Sequence, residues 1–349
     1  MSKKVKVFVG LSGGVDSSVA AALLKQQSYD VTGVYMKNWS QDLPGFPCPW
    51  KEDYQDAKRV AVQLGIPFRM FDFESEYRRK VVDYMIEGFK AGITPNPDIM
   101  CNQEIKFKLF LDTALENGAE MIATGHYART KNGQLLKAKD TNKDQTYFLY
   151  RVSESALQKT LFPLGDYTKP EVRRLAEKFN LITAKKKESM GICFVGKVGI
   201  RDFLAQYIDE VPGDIIDQNG HVIGHHDGAV FYTIGQRHGL NLGGGLPYYV
   251  TGKNMTKNEV YVTKNLSDKK LWQNEFTLTS LHWINQSPKS NQKYSVRTRH
   301  RAIMEFCKIK INGKNAMIKL DNQVRALTPG QSAVFYDDDL VFGGGIIVC

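Results

Sequence analysis

The sequence predicts an α/β protein in which a doubly wound parallel sheet is followed by two small β-rich domains, the last of them a β-barrel. Three observations lead to this prediction. Strand-like and helix-like segments alternate through residues 1–209, helical periodicity then fades, and short β-rich runs recur between Gly, Asn and Asp turns. We therefore expect three domains, at 1–209, 210–275 and 276–349, a division that suits a chain of 349 residues.

A glycine- and serine-rich turn occupies residues 10–18, between a β-branched strand and a helix rich in Ala and Leu. Gly13 and Gly14 let backbone N–H groups approach a ligand closely, and the helix N-terminus attracts an anion. The turn lacks the lysine of a Walker A loop and the spacing of a dinucleotide-binding turn. Its Ser-Gly-Gly-x-Asp-Ser pattern resembles the PP-loop of ATP pyrophosphatases, in which Asp16 would orient Mg²⁺ or the loop itself. The alternative for Asp16 is a carboxylate favoured by the helix dipole.

The remaining elements of the α/β part follow in order. Strands are expected at 30–36, 67–73 and 119–124, and helices at 15–27, 51–64, 74–91, 103–116 and 168–179. In a parallel sheet, ligands bind where the carboxyl ends of the strands meet. The glycine loop, Met36, Asp72 and Gly125 are therefore expected near one edge of the sheet.

Two of the five cysteines have sequence neighbours that can favour a thiolate. Cys101 is expected at a helix N-terminus, where the dipole lowers a thiol pKa, although an inert cysteine beside a capping Asp98 fits the same pattern. Cys193 follows the cationic run 185–187, which favours a thiolate or is simply a solvated face. Without a Cys-x-x-Cys pair or a visible secretory signal, neither a disulfide framework nor a zinc ribbon is expected.

In the β-rich half, strands are expected at 214–217, 222–224, 229–232, 260–262, 276–279, 294–299, 316–320 and 332–336. Alternation places Arg297, Arg299 and Arg301 on one strand face, which suits phosphate contacts or keeps an exposed edge soluble. The net charge of +10 favours a polyanionic partner such as nucleic acid. No run of 18 apolar residues occurs, so we expect a cytoplasmic protein without a membrane span.

Six segments together resemble the tRNA-specific 2-thiouridylase family. Besides the glycine loop they are residues 94–102, 123–127, 142–145, 191–194 and 328–332. The most specific combination is Asn-Pro-Asp-x-x-Cys-Asn with Gly-Ile-Cys-Phe, and the resemblance covers essentially the whole chain. It implies a tRNA-uridine 2-sulfurtransferase that thiolates carbon 2 of the wobble uridine in tRNAs for Lys, Glu and Gln. The reaction would adenylate the C2 oxygen and transfer sulfur from a cysteine persulfide.

The resemblance also implies roles for single residues. Cys193 would carry the persulfide, Cys101 would be a second nucleophile able to form a disulfide with Cys193, and Asp98 would be a general acid/base. ATP would bind at Gly10, Leu11, Ser12, Gly13, Gly14, Val15, Asp16, Ser17, Met36 and Gly125. tRNA would contact Asn96, Pro97, Asp98, Lys143, Asp144, Gln145, Arg299 and His300. The family often has Arg-Tyr where this chain has Arg299-His300, and a histidine there can still stack on a base.

The implied cofactor is ATP with Mg²⁺. The implied partners are the tRNA anticodon loop and a cysteine desulfurase or sulfur-relay protein. Relatives with an iron–sulfur cluster carry Cys-x-x-Cys where this chain has Asp98 and Cys101, so no cluster and no metal ligands are expected. Two other functions stay open. A small-molecule synthetase would need neither Cys193 nor a basic domain, and an RNA-binding protein with a vestigial nucleotide site would tolerate Asp16→Ala.

Overall fold

The computed structural model describes residues 3–45, 47–187, 199–243, 245–290 and 292–348. Cys193 lies outside these residues. The strands are β1 Lys6–Gly10, β2 Asp30–Lys37, β3 Phe68–Asp72, β4 Met121–Ala123, β5 Arg129–Lys131, β6 Gln134–Leu136, β7 Thr160–Leu161, β8 Gly213–Ile216, β9 Val222–His226, β10 Tyr249–Asn254, β11 Glu259–Thr263, β12 Trp272–Trp283, β13 Lys293–Arg297, β14 Glu305–Asn312, β15 Asn315–Arg325, β16 Ser332–Asp337 and β17 Leu340–Val348.

Most helices lie in the first half of the chain. The α-helices are α1 Val15–Gln26, α2 Trp50–Leu64, α3 Glu74–Tyr77, α4 Asp83–Lys90, α5 Pro97–Met100, α6 Phe110–Glu116, α7 Thr146–Leu149, α8 Glu154–Gln158, α9 Lys169–Lys178 and α10 Ile200–Leu204. Two π-helical segments, Arg78–Val82 and Cys101–Leu109, join α3 to α4 and α5 to α6. None of the helices in the described ranges has the length and apolar run that a membrane crossing requires.

The first sheet is parallel and has the strand order β3-β2-β1-β4-β7. Its central strand is buried on both sides, with Val7, Phe8 and Val9 at 0% exposure, as a continuous apolar run predicts. The chain moves outward from β1 in both directions, so β1 and β4 flank the switch point at which open α/β sheets bind ligands. The predicted doubly wound α/β architecture is confirmed.

The last sheet closes into a barrel. Six strands pair in the order β12-β15-β14-β13-β16-β17, and β12 also pairs with β17 to complete the ring. The barrel encloses its own apolar core, which includes Leu278, Ile309 and Phe335. The hairpin β5–β6, from the first half of the chain, adds two strands to the edge of β17. The prediction of a terminal β-barrel is confirmed, while its extension by an N-terminal hairpin was not expected.

The middle of the chain forms a four-stranded sheet with the order β10-β11-β8-β9. Its buried residues Ile215, Val250 and Val260 belong to the same apolar core as the helices of the first sheet. One expected strand is wrong, because residues 229–231 form a 3₁₀ turn, Ala229–Phe231. Buried apolar residues fill this turn, and periodicity alone does not distinguish a short buried strand from a buried helical turn.

Candidate functional site

The loop after β1 is held by hydrogen bonds from two serines in the first turn of α1. Ser17 Oγ accepts from Ser12 N at 3.1 Å and donates to the Gly14 carbonyl at 3.1 Å, and Ser18 Oγ donates to the same carbonyl at 2.8 Å. Gly13 has φ +74°, and a Cβ there would lie 2.4 Å from the Asp53 carbonyl oxygen of α2. Within the described residues no side chain caps the start of α1. Its first amides therefore fit an anion such as a phosphate chain.

Asp16 carries the negative charge of this loop, and the fold neutralises it. Lys169 Nζ, at the start of α9, lies 2.7 and 2.8 Å from the two carboxylate oxygens of Asp16. Tyr127 donates its hydroxyl to the same carboxylate at 3.0 Å. The carboxylate thus holds the loop against α9 and the residues after β4. In this arrangement the loop fits a phosphate ligand, because its own charge is already compensated.

The other residues expected to bind ATP lie around this loop. Leu11 is buried and donates its N–H to the Val34 carbonyl of β2, and Val15 is buried in the next core layer. A Cβ on Gly10 would lie 2.9 Å from Met36 Cε. A Cβ on Gly125 would lie 2.7 Å from Ser17 N, so the glycine permits close packing of the loop against the end of β4. The expectation that these strand ends share one edge is met.

A pocket of about 270 Å³ opens beside the loop. It brings together five segments far apart in sequence: the loop, Tyr127 after β4, the residues around the start of α7, Lys187, and the turn after β13. Its lining residues are Ser12, Gly14, Val15, Asp16, Tyr127, Asn142, Lys143, Gln145, Phe148, Lys187, His300 and Arg301. The pocket therefore joins residues expected to bind ATP with residues expected to contact tRNA.

Asp144 lies under the pocket rather than in it. Its carboxylate accepts from Ala138 N at 3.1 Å and from Thr146 Oγ1 at 2.8 Å, and Arg297 Nη1 lies 3.5 Å away. Burial raises the pKa of Asp144, and these hydrogen bonds and the arginine oppose the rise. Gln145 is also engaged, since its Oε1 accepts from Tyr127 N at 2.9 Å. The side chain of Asp144 thus anchors the segment that presents Lys143.

The basic cluster differs from the expected strand face. β13 ends at Arg297, and the turn that follows has Arg301 at φ +61°, so alternation does not extend to Arg299 and Arg301. Arg299 Nη2 donates to the carbonyls of Ile234 and Ala326 and to Thr328 Oγ1. The prediction of three arginines on one strand face is wrong, because the chain turns immediately after Arg297.

His300 lines the pocket and packs on protein aromatic rings. Its ring centroid lies 4.4 Å from that of Phe148 and 6.0 Å from that of Tyr147. Burial, together with Arg301 and Arg297, lowers the pKa of His300 to about 4. The imidazole is therefore uncharged at neutral pH and presents an aromatic surface to the pocket.

The helix that contains Cys101 begins earlier in the sequence than expected. Asn96 Oδ1 caps the helix by accepting from Asp98 N at 3.1 Å and Ile99 N at 3.3 Å, with Pro97 as the first helical residue. Helical structure then continues through Cys101 to Glu116. Cys101 consequently lies inside the helix and is 1% exposed, so the prediction of a helix N-terminus at Cys101 is wrong. Pro97 is buried beside it, and Asp98 is half-buried.

The chain that leads toward Cys193 is clamped beside the glycine loop. Lys186 Nζ lies 2.9 Å from Asp53 Oδ1 and 2.7 Å from Asp56 Oδ2, both in α2. Arg173 Nη1 donates to the carbonyls of Ala184 and Lys186 at 2.7 and 2.8 Å. Because the Asp53 carbonyl also faces Gly13, the clamp places Lys187 next to the loop.

His126, which follows β4, is enclosed by protein side chains. Its Nδ1 is 2.8 Å from Thr124 Oγ1, and its ring packs against Phe107 and Phe162. This packing, with Lys106 nearby, lowers the pKa of His126 well below its usual value. Elsewhere in the described ranges, no group of three or more His, Cys, Asp or Glu side chains is arranged to hold a metal ion.

Three family models match successive parts of the chain. A tRNA methyl transferase HUP domain matches residues 5–197, a tRNA methyl transferase PRC-barrel domain matches 201–264, and an aminomethyltransferase beta-barrel domain matches 273–347. The first of these alone spans more than half of the chain.

Similar curated proteins extend over nearly the full length. A tRNA-specific 2-thiouridylase MnmA from Bacillus subtilis is 46% identical over 351 residues, covering 98% of this chain and 94% of the relative. The protein of that name from Streptococcus sanguinis is 45% identical over 357 residues, covering 99% and 96%. A solved 4-thiouridine synthetase–RNA complex with bound ATP covers 58% of this chain and 50% of that chain, at 19% identity and a TM-score of 0.39. That structural likeness is too low to support an argument.

Proposed function

The chain belongs to the tRNA-specific 2-thiouridylase family, and from this premise we propose that it catalyses ATP-dependent 2-thiolation of the wobble uridine in tRNAs for Lys, Glu and Gln. The observation that carries the proposal is the pocket beside the glycine loop. It joins an uncapped helix N-terminus, suited to phosphates, to a rim that contains Lys143, Lys187 and Arg301. A nucleotide and an RNA phosphate chain can both reach such a site.

The first step activates the base. The C2 oxygen of the uridine attacks the α-phosphate of ATP held at residues 10–17, and pyrophosphate leaves. The proton on N3 is taken up by Asp98, which leaves a C2–N3 double bond and a C2–O–AMP ester. Mg²⁺ would be held by the ATP phosphates and would neutralise their charge, since Asp16 is already paired with Lys169. Met36 and Gly125 complete the nucleotide site at the strand ends.

The second step exchanges oxygen for sulfur. The terminal sulfur of a persulfide on Cys193 attacks C2, and AMP leaves with the oxygen. The Cys101 thiolate then attacks Sγ of Cys193, and the S–S bond breaks with its electron pair left on the sulfur bound to C2. Asp98 returns the proton to N3. The products are 2-thiouridine and a Cys101–Cys193 disulfide, which a thiol reductant opens before the next turnover. A cysteine desulfurase or a sulfur-relay protein supplies the persulfide in the cytoplasm.

The target base must leave its stack to reach the residues assigned to it, at a cost of a few kcal/mol. An anticodon loop lowers that cost because its bases are already unpaired. We assign Asn96, Pro97 and Asp98 to the target base, and Lys143, Gln145, Arg299 and His300 to the surrounding tRNA. Asp144 supports these contacts from beneath, because its carboxylate is enclosed by protein groups.

The direct test is mass spectrometry of nucleosides from unmodified tRNA incubated with protein, Mg-ATP and a persulfide source. We expect 2-thiouridine in tRNAs for Lys, Glu and Gln, with one AMP formed per thiolated base. Cys193→Ser and Cys101→Ser should each reduce 2-thiouridine below detection while ATP still binds. Cys48→Ser is the matched control and should retain activity, since a serine preserves the contact that its Sγ makes with the Trp39 carbonyl.

Two results would contradict the proposal. Full thiolation by the Cys193→Ser protein would remove the persulfide role. AMP formation that depends on a small-molecule acceptor, and not on tRNA, would instead favour a synthetase of the same loop type.

A further inference from the structure

We propose that the barrel loop at residues 328–332 is a positioning element for the target-base segment at residues 96–101. This loop, Thr-Pro-Gly-Gln-Ser, precedes and enters β16, and no catalytic step uses it. It reaches across to Thr94, two residues before the helix cap at Asn96. The barrel thereby determines where the segment that carries Asp98 and Cys101 lies.

The contact between loop and segment is made mainly by backbone. Thr94 N donates to the Pro329 carbonyl at 2.8 Å, and Gln331 Nε2 donates to the Thr94 carbonyl at 2.8 Å. Gly330 has φ +90°, and a Cβ there would lie 2.8 Å from Thr94 N. A residue with a side chain therefore cannot occupy position 330 without displacing one of the two chains.

The loop itself is fixed to the barrel. Gly330 N donates to the Ile347 carbonyl at 3.0 Å, and Ile347 N donates to the Gln331 carbonyl at 2.8 Å. Arg299 donates to Thr328 Oγ1 at the start of the same loop. The loop is thus held by β17 on one side and by an arginine assigned to tRNA on the other.

Thr94 is a junction of three parts of the molecule. Its hydroxyl lies 3.2 Å from that of Thr233, in the middle of the chain. The next residue, Pro95, packs so closely on α4 that a Cβ on Gly88 would lie 2.7 Å from its Cγ. The α/β part, the middle part and the barrel therefore meet immediately before the Asn96 cap.

A second connection runs through α7. Tyr147 donates its hydroxyl to the Ser332 carbonyl at 2.9 Å, and the hydroxyl of Tyr150 lies 3.0 Å from Ser332 Oγ. The Phe148 carbonyl, in the same helix, accepts from Asn102 Nδ2 at 3.0 Å. The target-base segment is therefore connected to the barrel loop on both sides, through Thr94 before it and through Asn102 after it. Gln331 acts through Thr94, so it is a positioning residue rather than a catalytic one.

The test uses the full-length protein with Gln331→Glu and, independently, Gly330→Ala. The glutamate keeps the shape of the side chain but places a carboxylate against the Thr94 carbonyl. We expect backbone amides at 93–103 to exchange with deuterium at least tenfold faster, while amides of β14 and β15 keep the wild-type rate. Gln323→Ala, at an exposed barrel position, is the matched control and should change the exchange rates of neither set of amides.

The catalytic consequence rests on the proposed function, whereas the exchange result does not. We expect the single-turnover rate of thiolation to fall at least tenfold, with the dissociation constant for tRNA and the KM for ATP within twofold of wild type. Wild-type exchange at 93–103 in both variants would overturn the proposal. So would faster exchange throughout the barrel, which would identify a general stabilising role. If local exchange accelerates but even the wild-type protein forms no 2-thiouridine, the positioning element stands and the proposed function fails.

Discussion

At the scale of single residues, the ion pair between Asp16 and Lys169 compensates the negative charge of the glycine loop. An unpaired carboxylate at this position would repel the ligand that the α1 amides attract. Lys169 lies 153 residues from Asp16 in sequence and begins a helix with a capping box, and that local pattern gives no sign of its partner. Such a contact is visible only once the fold brings α9 against α1.

We predict that Lys169→Met raises the KM for ATP about tenfold or more, because Asp16 is then left charged beside the phosphates. Adding Asp16→Asn to Lys169→Met should recover most of that loss, since the repulsion is removed. Lys178→Met, at the exposed far end of the same helix, should leave KM unchanged. Initial rates of AMP release at varied ATP concentration measure the effect. Equal losses in the single and double variants would contradict charge compensation.

At the scale of elements, the helical segment from Pro97 to Glu116 shows how one cap moves a boundary. The prolines at 95 and 97 predict an extended turn, yet proline is favoured at the first position of a helix. Asn96 supplies the cap and decides between these two outcomes. The helix therefore begins at Pro97, six residues before the expected start at 103, and Cys101 lies inside it.

Loss of this cap should loosen the start of the helix. Asn96→Ala removes an acceptor for two backbone N–H groups, at a cost of about 1 kcal/mol. Amides at 98–101 should then exchange about fivefold faster, the factor to which that energy corresponds. Asn96→Asp retains a capping oxygen, so its amides should exchange near the wild-type rate. Asn312→Ala, at an exposed position of the barrel, is the control. Equal acceleration in the Ala and Asp variants would contradict the capping role.

The elements with long periodic patterns could be predicted from the sequence, as could the family. β1, the glycine loop and α1 follow from an apolar strand, two glycines and an Ala-rich run, each of which is a local signal. The turn after Arg297 and the 3₁₀ turn Ala229–Phe231 could not, because their boundaries depend on packing between distant segments. The pocket could not be predicted from the sequence either, since it combines residues near 15, 145 and 300.

At the scale of the whole molecule, cationic side chains from three distant segments meet at the pocket. Lys143, Lys187 and Arg301 surround the pocket, and Arg299 connects the middle part to the barrel beneath it. An RNA phosphate chain that follows this rim would release counterions at each cationic contact. The net charge of +10 adds long-range attraction between the protein as a whole and a polyanion.

We predict that tRNA binding weakens steeply as salt concentration rises. Lys187→Gln and Arg301→Gln should each reduce the slope of log Kd against log salt concentration by about 0.7 to 0.9, the value for one lost phosphate contact. Lys314→Gln, in the exposed turn between β14 and β15, should leave the slope unchanged. Filter binding between about 50 and 200 mM salt gives the slopes. Unchanged slopes in both pocket variants would place the RNA elsewhere.

The hairpin β5–β6 has a consequence for how the chain is made. Leu136 pairs with Leu340, so the ribosome must add 204 further residues, 340 minus 136, before β6 meets its partner strand. At roughly 5–20 residues per second, that interval lasts about 10–40 s, during which the edge of the hairpin is unpaired. Arg129 and Lys137 later tie the same hairpin to Asp339. The final residues of the barrel therefore complete a surface that the first half of the chain exposes during synthesis, and a nascent chain that stops short of β17 keeps an edge open to aggregation.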